Sequence, residues 1–164
     1  MTNKFKPEMG KGDTGFTDLL GGRRVTKTDP RIKLNAMLDE LGAVLGQIKI
    51  TLKSRARIAA LSEIQKNLIT AAGSIAGMKT DMSGPAAALE ARIKTGAAGL
   101  RLTKKFILPG SGRAETLLHL ARTKARLCEI LAWEIKAKSP AVYLNRLSDY
   151  LFLEALKSGR SRAR

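Results

Sequence analysis

Apolar residues recur at steps of three and four along several stretches of the chain, the spacing that places them on one face of an α-helix. The clearest stretch follows Thr28-Asp29-Pro30, where Asp29 can cap a helix and Pro30 fits its first turn. Its apolar positions are Ile32, Leu34, Met37, Leu38, Leu41, Val44, Leu45, Ile48 and Leu52. The pattern predicts an amphipathic helix over about 30–53.

Four further stretches have helical spacing, over about 56–78, 85–96, 113–137 and 140–157. Pro85 fits the first turn of the third helix, and Ser139-Pro140 supplies a cap and a first-turn proline for the last. Residues 1–29 lack this spacing and are rich in glycine, which indicates an extended, turning segment. No strand pattern of comparable strength occurs. The predicted fold class is all-α, an up-down bundle of five helices behind an extended glycine-rich arm.

We expect a single domain over residues 1–158, with the arm at 1–29, the bundle at 30–158 and a basic tail at 159–164. The formal charge of +16 implies an anionic partner such as a nucleic acid, an acidic membrane face or a polyphosphate. The basic stretches lack interleaved aromatic residues that would stack on bases, so nucleic acid is not favoured. No apolar run reaches the roughly 20 residues that span a membrane, and no apolar segment follows the N-terminal lysines. We therefore expect a cytoplasmic protein without a membrane partner.

Cys128 and His119 are the only residues of their types. A single cysteine excludes an internal disulfide, and the two residues together argue against a zinc enzyme, so no protein metal site is predicted. We expect Cys128 to be a packed, apolar residue and His119 to lie on a helix surface or in the core. Trp133 is expected in the core or at a subunit contact.

The fourth predicted helix and the segment before it form the first candidate site. Phe106 opens a short apolar segment that ends in a Pro-Gly-Ser-Gly turn, and Arg122, Arg126 and Glu129 then share one face of the helix. Asp39 lies at the edge of the apolar face of the first helix, where pairing with Arg122 would fix an arginine fork for an anion. An ordinary ion pair between helices, with solvated charges around it, explains the same residues. From the residues alone both interpretations stay open.

The arm is the second candidate site. Residues 10–17, Gly-Lys-Gly-Asp-Thr-Gly-Phe-Thr, offer backbone N–H groups, a lysine and two hydroxyls, a combination that suits phosphate. The G-x-x-x-x-G-K-[ST] spacing of a P-loop is missing, as is the strand that precedes it. A flexible glycine-rich arm without a ligand is the alternative.

Six blocks, taken in order, resemble the PduO-type ATP:corrinoid adenosyltransferases. They are GDTGFTDLLGGRRV at 12–25 with Lys27 and Asp29, LDEL at 38–41, IQ at 64–65, FILPG at 106–110, LHLART at 118–123 and YLNRLSDYLF at 143–152. Residues 76–100 match only as generic helix and linker. The resemblance implies a ferritin-like five-helix bundle that assembles as a homotrimer, with each active site between neighbouring subunits.

The resemblance also implies an activity, the transfer of the 5′-deoxyadenosyl group of ATP to cob(I)alamin or a related corrinoid, giving adenosylcobalamin and triphosphate. Mg²⁺ would accompany the phosphates, and a corrinoid reductase or an adenosylcobalamin-dependent enzyme would be a partner. Phe106 matches the aromatic residue that wedges beneath the corrin, and Asp39 and Arg122 match a salt-bridged pair that supports the site; with Arg126 these are the predicted catalytic residues. The residues that match ATP contacts are Lys11, Gly12, Asp13, Gly15, Thr17, Asp18, Lys27, Arg126, Glu129 and Asn145.

The chain departs from this pattern at five positions of the ATP half. Met9-Gly10-Lys11 stands where the family has Thr-Lys-Thr, and Leu127 and Ile130 replace two arginines of the fourth helix. A charge-assisted hydrogen bond to phosphate is worth roughly 1.5–3 kcal/mol, so each of these replacements weakens the binding of ATP if the family residue made one. The second hypothesis is therefore a non-catalytic corrinoid-binding relative with a weakened ATP site. A basic helical nucleic-acid-binding protein, favoured only by net charge, is a distant third.

Overall fold

Five helices and one short hairpin account for most of the residues that the structure, a computed structural model, describes, namely 9–98, 100 and 106–160. The elements are β1 (Phe16–Asp18), β2 (Arg24–Thr26), α1 (Pro30–Lys49), α2 (Arg55–Ile75), α3 (Ser83–Ala97), α4 (Arg113–Glu134) and α5 (Lys138–Arg160). The predicted class, a five-helix fold with a glycine-rich arm, is confirmed. Residues 1–8 of the predicted arm and 161–164 of the predicted tail lie outside the described residues.

The first helix begins where the sequence predicts, because Asp29 caps it. Its carboxylate accepts the backbone N–H of Arg31 at 2.9 Å and two hydrogen bonds from the Arg31 guanidinium at 2.9 and 2.7 Å. These hydrogen bonds lower the pKa of Asp29 to about 2. At the other end α1 stops at Lys49 rather than near residue 53, because the N–H and the hydroxyl of Thr51 both turn back to the Ile48 carbonyl.

Apolar faces of the five helices meet in one core. α4 lies against α5 and α1, while α2 packs on α1 and α3 packs on α5. The predicted apolar positions of α1 that are exposed by 2% or less are Leu34, Leu38, Leu41, Leu45 and Ile48. Each such side chain contributes about 1.5–3 kcal/mol relative to an exposed position. The spacing that predicts the helix therefore also identifies the side chains that hold it.

The bundle places the start of α4 and the arm at opposite ends. An ion pair of 2.5 Å between Lys124 and Glu40 joins α4 to α1 near their middles, and Ile50 and Arg113 line one cavity where α1 ends and α4 begins. The two helices therefore run antiparallel. The turn that precedes α4 lies at the end where α1 stops, the arm enters α1 at the opposite end, and Arg126 and Glu129 lie in the half of α4 nearer the arm.

The extended, turning arm contains a short hairpin that the sequence pattern did not predict. β1 and β2 pair antiparallel with Thr17 opposite Val25, and Gly21 and Gly22 turn the chain between them at φ 81° and 75°. Leu19 and Val25 are buried beside the turn. Strands of three residues are too short to show an alternation of apolar and polar positions, so only the paired glycines signalled the turn in the sequence.

The prediction that Ser139 caps the last helix was also wrong. α5 begins one residue earlier, at Lys138, so Ser139 lies inside the first turn. Its hydroxyl accepts the Met82 N–H at 2.9 Å and donates to the Asp81 carboxylate at 3.2 Å. The serine therefore ties the start of α5 to the start of α3.

The remaining helix ends lie within three residues of their predicted positions. α4 stops at Glu134 rather than at 137, because Lys136 takes the left-handed conformation at φ 60° and donates its N–H to the Trp133 carbonyl at 3.0 Å. This tight turn places α5 directly against α4, so that side chains of the two helices can meet.

Candidate active site

The glycines of the arm let Lys27 lie against the backbone. Its N–H donates to the Gly15 carbonyl at 2.8 Å, and Gly15 itself has a φ of 79°. A Cβ placed on Gly12 would lie 2.8 Å from the Lys27 ammonium, closer than such atoms approach one another. Glycine at this position therefore allows an ammonium group and bare backbone to lie side by side, which suits a phosphate ligand.

A second charged cluster of the arm surrounds Asp18. Its carboxylate lies 3.9 Å from the Lys11 ammonium and 3.8 Å from the Arg24 guanidinium. Beside it is a cavity of about 270 Å³, lined by Lys11, Gly12, Phe16, Thr17 and Asp18. Asp13 is exposed and outside this lining, and its N–H bonds to the Gly10 carbonyl at 3.1 Å. The hairpin thus gathers four of the residues predicted at ATP into one small cavity, and phosphate binding there stays a prediction.

On the bundle, Glu129 of α4 and Asn145 of α5 meet. The Asn145 amide Nδ2 donates to Glu129 Oε1 at 3.1 Å, and the Trp133 indole N–H lies 3.4 Å from the same oxygen. Arg126 lies one helical turn before Glu129, is exposed, and has no hydrogen bond or ion pair within the described part of the chain. The structure therefore brings two of the predicted ATP residues into contact and leaves the predicted cation beside them available to a ligand.

A contact without a sequence signal fixes the amide of Asn145. Arg146 donates from Nη1 to the Asn145 side-chain oxygen at 2.6 Å and from Nε to the Glu90 carboxylate at 2.6 Å. The hydrogen bond from Arg146 lowers the pKa of Glu90. With its oxygen held by a guanidinium, the amide must present its NH₂ group to Glu129. Glu90 could not be found from the sequence, because its partner lies on a helix 56 residues away.

The predicted ion pair between Asp39 and Arg122 is not formed within the described chain. Asp39 is exposed, and α1 instead presents Glu40 to α4, where it pairs with Lys124. The Arg122 guanidinium lies 5.8 Å from the centroid of the Phe152 ring, and its buried Nε has no hydrogen-bond partner among the described residues. A buried guanidinium N–H without a hydrogen-bond partner is energetically costly.

The Phe106 side chain is fully exposed, at 101% of its reference area, and Leu108 beside it is exposed by 86%. The segment is held at its far end by Glu115, a residue for which the sequence predicted no role. Glu115 Oε2 accepts the N–H groups of Gly110 at 3.0 Å and Ser111 at 3.1 Å. Glu115 is the third residue of α4, the position at which a glutamate commonly reaches back over a helix start, so the signal was present.

Glu115 and His119 form a buried polar pair one turn apart on α4. Glu115 Oε1 lies 3.2 Å from His119 Nε2, and the imidazole packs edge-on to Phe152 with ring centroids 6.1 Å apart. Burial lowers the pKa of His119. Burial alone would raise the pKa of Glu115, but the N–H of Gly110 and the neighbouring His119 outweigh it, and the pKa lies below its ordinary value. His119 is thus a core histidine, one of its two predicted positions.

Three further expectations can be compared with the structure. Cys128 is buried, as expected, and burial raises its thiol pKa to about 12. Trp133 is exposed by 48% and therefore does not lie in the core. Within residues 9–98, 100 and 106–160, no three His, Cys, Asp or Glu side chains are grouped as a metal site would require, and no helix is long and apolar enough to cross a membrane.

Fold and site together define a helical bundle with a glycine-rich arm before α1 and an exposed phenylalanine in the segment before α4. The family model described as cobalamin adenosyltransferase matches residues 8–158. The chain belongs to the cobalamin adenosyltransferase family, which confirms the resemblance seen in the sequence.

Individual relatives and solved structures agree with this assignment. The corrinoid adenosyltransferase PduO of Citrobacter freundii is 36% identical over 155 residues, which cover 86% of this chain and 46% of that protein. The chain thus spans about half the length of that relative. The corrinoid adenosyltransferase of Mycobacterium tuberculosis strain H37Rv is 35% identical over 166 residues, covering 87% of this chain and 82% of that protein. A phenylalanine-to-histidine variant of the PduO-type ATP:corrinoid adenosyltransferase from Lactobacillus reuteri, complexed with cobalamin and ATP, superposes with a TM-score of 0.87 at 28% identity, covering 94% of this chain and 91% of that one.

Proposed function

We propose that this chain transfers the 5′-deoxyadenosyl group of ATP to the cobalt of a reduced corrinoid such as cob(I)alamin. A cobalt–carbon bond forms at C5′, the C5′–oxygen bond breaks, and triphosphate leaves with the electron pair. The cobalt supplies the nucleophile, so the protein needs no side-chain base and acts by positioning and by stabilising the departing charge. The observation that carries the proposal is that this chain, a member of the family, has both the glycine-rich arm with its lysines and the exposed Phe106.

The ATP half consists of the arm and the facing ends of α4 and α5. Lys27 lies on bare backbone at Gly12, and Lys11 lines the neighbouring cavity, so two ammonium groups belong to the part of the arm proposed to hold the triphosphate. Arg126 adds a third cation beside the joined Glu129 and Asn145. Magnesium fits this arrangement as a companion of the phosphates, since the ion commonly takes one or two carboxylates plus phosphate oxygens and does not need a dedicated cluster. Asp18 and Glu129 are the carboxylates within reach of such a complex.

The corrin half is the loop that carries Phe106. Phe106 is fully exposed and Leu108 nearly so, and neighbouring exposed apolar side chains of this kind indicate a surface that a ligand or another chain covers. A flat, apolar macrocycle is such a ligand. Glu115 and the Pro-Gly-Ser-Gly turn fix the base of the loop, so that the ring can press against the lower face of a corrin and displace its lower ligand.

We further propose that the protein works as a homotrimer with each site between two subunits. Leu120, Leu127 and Ile130 are exposed by 43%, 53% and 52% and follow one another along the outer face of α4. Three neighbouring exposed apolar residues on a helix indicate a surface that another chain covers. The exposed Asp39 and the half-buried Arg122, which form no ion pair with each other among the described residues, support the same conclusion, because the two residues are open to pairing between copies.

The test of the proposed activity is incubation with ATP, Mg²⁺ and chemically reduced cobalamin, followed by the absorbance change at cobalt and by mass spectrometry of the product. We expect adenosylcobalamin and triphosphate in equal amounts. Phe106→Ala should greatly slow the reaction that starts from Co(II) cobalamin, with a smaller effect on pre-reduced Co(I). No adenosylated product with any reductant would refute the proposal.

A non-catalytic corrinoid-binding relative is the second candidate, and it is favoured by Leu127 and Ile130, which are apolar where the family pattern has arginine. It predicts that Co(II) cobalamin changes its spectrum on binding, that Phe106→Ala abolishes this change, and that ATP has no influence. An influence of ATP on the spectrum, saturable and absent in Arg126→Gln, would exclude it. The double variant Leu127→Arg and Ile130→Arg is the complementary experiment, since restored cations should strengthen ATP binding in either case.

A further inference from the structure

A cavity of about 630 Å³ lies at the end of the bundle beside the Phe106 loop, away from the arm. It forms where α1 ends and where α2 and α4 begin, and its charged and polar lining comprises Thr51, Lys53, Arg57, Arg113, Glu115 and Ser158. Its volume is within the range of about 300–1,000 Å³ that is usual for small-molecule sites. None of these residues belongs to the catalytic or ATP set described above.

Two of the three cations that line this cavity are not matched by anions of the described chain. Lys53 and Arg113 have no hydrogen bond or ion pair with any residue in the described part of the chain. Arg57 donates to the Glu154 carboxylate at 2.6 Å and to the Ser158 hydroxyl at 2.8 Å, so it is fixed in place by a single neutralising partner. Two uncompensated positive charges therefore face one concave surface.

The carboxylate in the lining, Glu115, does not cancel this charge. Its Oε2 accepts the N–H groups of Gly110 and Ser111 and the hydroxyl of Thr116, and its Oε1 contacts His119 at 3.2 Å. Its side chain is exposed by only 4%. The negative charge is thus directed into the loop and the helix, and the open volume of the cavity is left to the cations.

We propose that this cavity is a phosphate-binding site. Charge-assisted hydrogen bonds from lysine and arginine to phosphate oxygens are among the strongest polar contacts that a partly exposed site can form. Two sources of the phosphate fit the same chemistry. One is a free phosphate anion. The other, which rests on the proposed function, is the phosphodiester in the nucleotide tail of cobalamin, a tail whose base must leave the cobalt when Phe106 occupies the lower face of the corrin. Glu115 connects the two places, since it both lines the cavity and holds the Phe106 loop.

The experiment compares cob(II)alamin with cob(II)inamide, which has the same corrin ring and no nucleotide tail. Dissociation constants are measured by spectral titration for the wild-type protein and for the double variant Lys53→Gln and Arg113→Gln. Arg57 is left unchanged because its contacts to α5 hold the fold. Arg55→Gln is the matched control, since Arg55 is an exposed cation at the start of α2 that does not line the cavity. Melting curves check that all variants are folded.

If the tail phosphodiester is the occupant, the double variant should bind cob(II)alamin about tenfold more weakly at low salt, with the difference shrinking as salt rises. Its affinity for cob(II)inamide, and both affinities of Arg55→Gln, should stay within about twofold of wild type. If a free phosphate is the occupant, millimolar inorganic phosphate should raise the melting temperature of the wild type and not of the double variant, with the two corrinoids affected alike. The proposal would be overturned if the wild type and the double variant had equal corrinoid affinities and equal melting-temperature responses to inorganic phosphate. It would also be overturned if the double variant lost affinity equally for the two corrinoids and phosphate changed no melting temperature.

The proposed activity is measured in parallel, as adenosylation of reduced cobinamide by the same proteins. Wild type and double variant should adenosylate this tail-less substrate at equal rates. If both corrinoids are adenosylated but the binding measurements show no effect of Lys53 and Arg113, the phosphate site is refuted and the proposed function stands. No product from either corrinoid would refute the proposed function, while the inorganic phosphate experiment would still decide whether the cavity binds phosphate.

Discussion

Replacing Glu115 with glutamine tests whether one carboxylate holds the Phe106 loop on the bundle. Three donors converge on Glu115 Oε2, the N–H groups of Gly110 at 3.0 Å and Ser111 at 3.1 Å and the hydroxyl of Thr116 at 3.2 Å. Glutamine keeps the shape and one acceptor oxygen, removes the charge, and places an NH₂ group where Oε1 faces His119. With the amide oxygen at the position of Oε2, the variant tests mainly the charge assistance of these three hydrogen bonds.

The magnitude follows from the number of donors. A hydrogen bond to a charged group contributes roughly 1.5–3 kcal/mol and a neutral one about 1 kcal/mol. Because three donors share one oxygen, their contributions are less than additive, and we expect Glu115→Gln to cost about 2 kcal/mol of unfolding free energy. In a chain of this size that corresponds to a melting temperature lower by about 4–8 °C.

The pH dependence gives this prediction a second, independent test. The pKa of Glu115 in the folded protein lies below its ordinary value of 4.5, so its charge stabilises the fold above that value. The contribution is lost as pH falls through the folded pKa, because the protonated side chain then resembles glutamine. The gap in melting temperature between wild type and Glu115→Gln should accordingly be full at pH 7 and narrow progressively below about pH 4.5.

The control is Glu134→Gln, which removes an exposed carboxylate from the last residue of the same helix. Melting curves of the three proteins at one protein concentration, from pH 7 down to pH 3, decide the matter. The reasoning fails if Glu115→Gln melts together with the control at pH 7, or if its deficit persists unchanged in acid.

Three further substitutions test other features of the structure. Gly12→Ala puts a methyl group 2.8 Å from the Lys27 ammonium, so the flexible end of the lysine must move aside. Calorimetric titration should show ATP binding weakened by about fivefold, with the melting temperature nearly unchanged. An unchanged ATP affinity would show that the position of Lys27 beside Gly12 is not needed for ATP binding. Arg146→Gln releases the side-chain amide of Asn145 and should weaken ATP binding. Arg92→Gln is the control, since it breaks the hydrogen bond of the same length, 2.6 Å, between Arg92 and Glu63, which lie outside the proposed site. Equal ATP affinities of these two variants would contradict the role of Arg146. Lys136→Gly relieves a left-handed backbone at φ 60° and should raise the melting temperature by about 1–4 °C, while a decrease would show that the lysine side chain forms a stabilising contact.

The sequence was sufficient for the helices because their signals are local. Asp29 and Pro30 mark the start of α1, and apolar residues at three- and four-residue steps continue from there into buried positions such as Leu34 and Ile48. Helix ends were less accurate where the terminating contact involves a neighbouring side chain, as with Thr51. The hairpin was missed because β1 and β2 have only three residues each.

The candidate site was predictable only in part, because sequence signals are local and several contacts of the site join residues far apart along the chain. The resemblance identified Glu129 and Asn145 as residues of one site, and the structure shows them in contact. The role of Arg146, which orients the Asn145 amide, could not be deduced, because its carboxylate partner Glu90 lies on α3 and no spacing along the chain connects Arg146 with Glu90. Asp39 and Arg122 form no ion pair within the described residues, where Glu40 meets α4 instead, because a helix face read from a sequence does not say whether a carboxylate meets a helix of its own chain.

Trp133 is the only tryptophan of the chain, and its indole N–H lies 3.4 Å from the Glu129 carboxylate. Its ring is about half exposed. The molecule thus contains a single tryptophan fluorophore beside two tyrosines, and the indole lies next to the carboxylate that we propose at ATP. If ATP binds there and excludes water from the indole, the emission wavelength or quantum yield should change without any attached label. Nucleotide occupancy could then be followed optically in the unmodified protein, before any corrinoid is added.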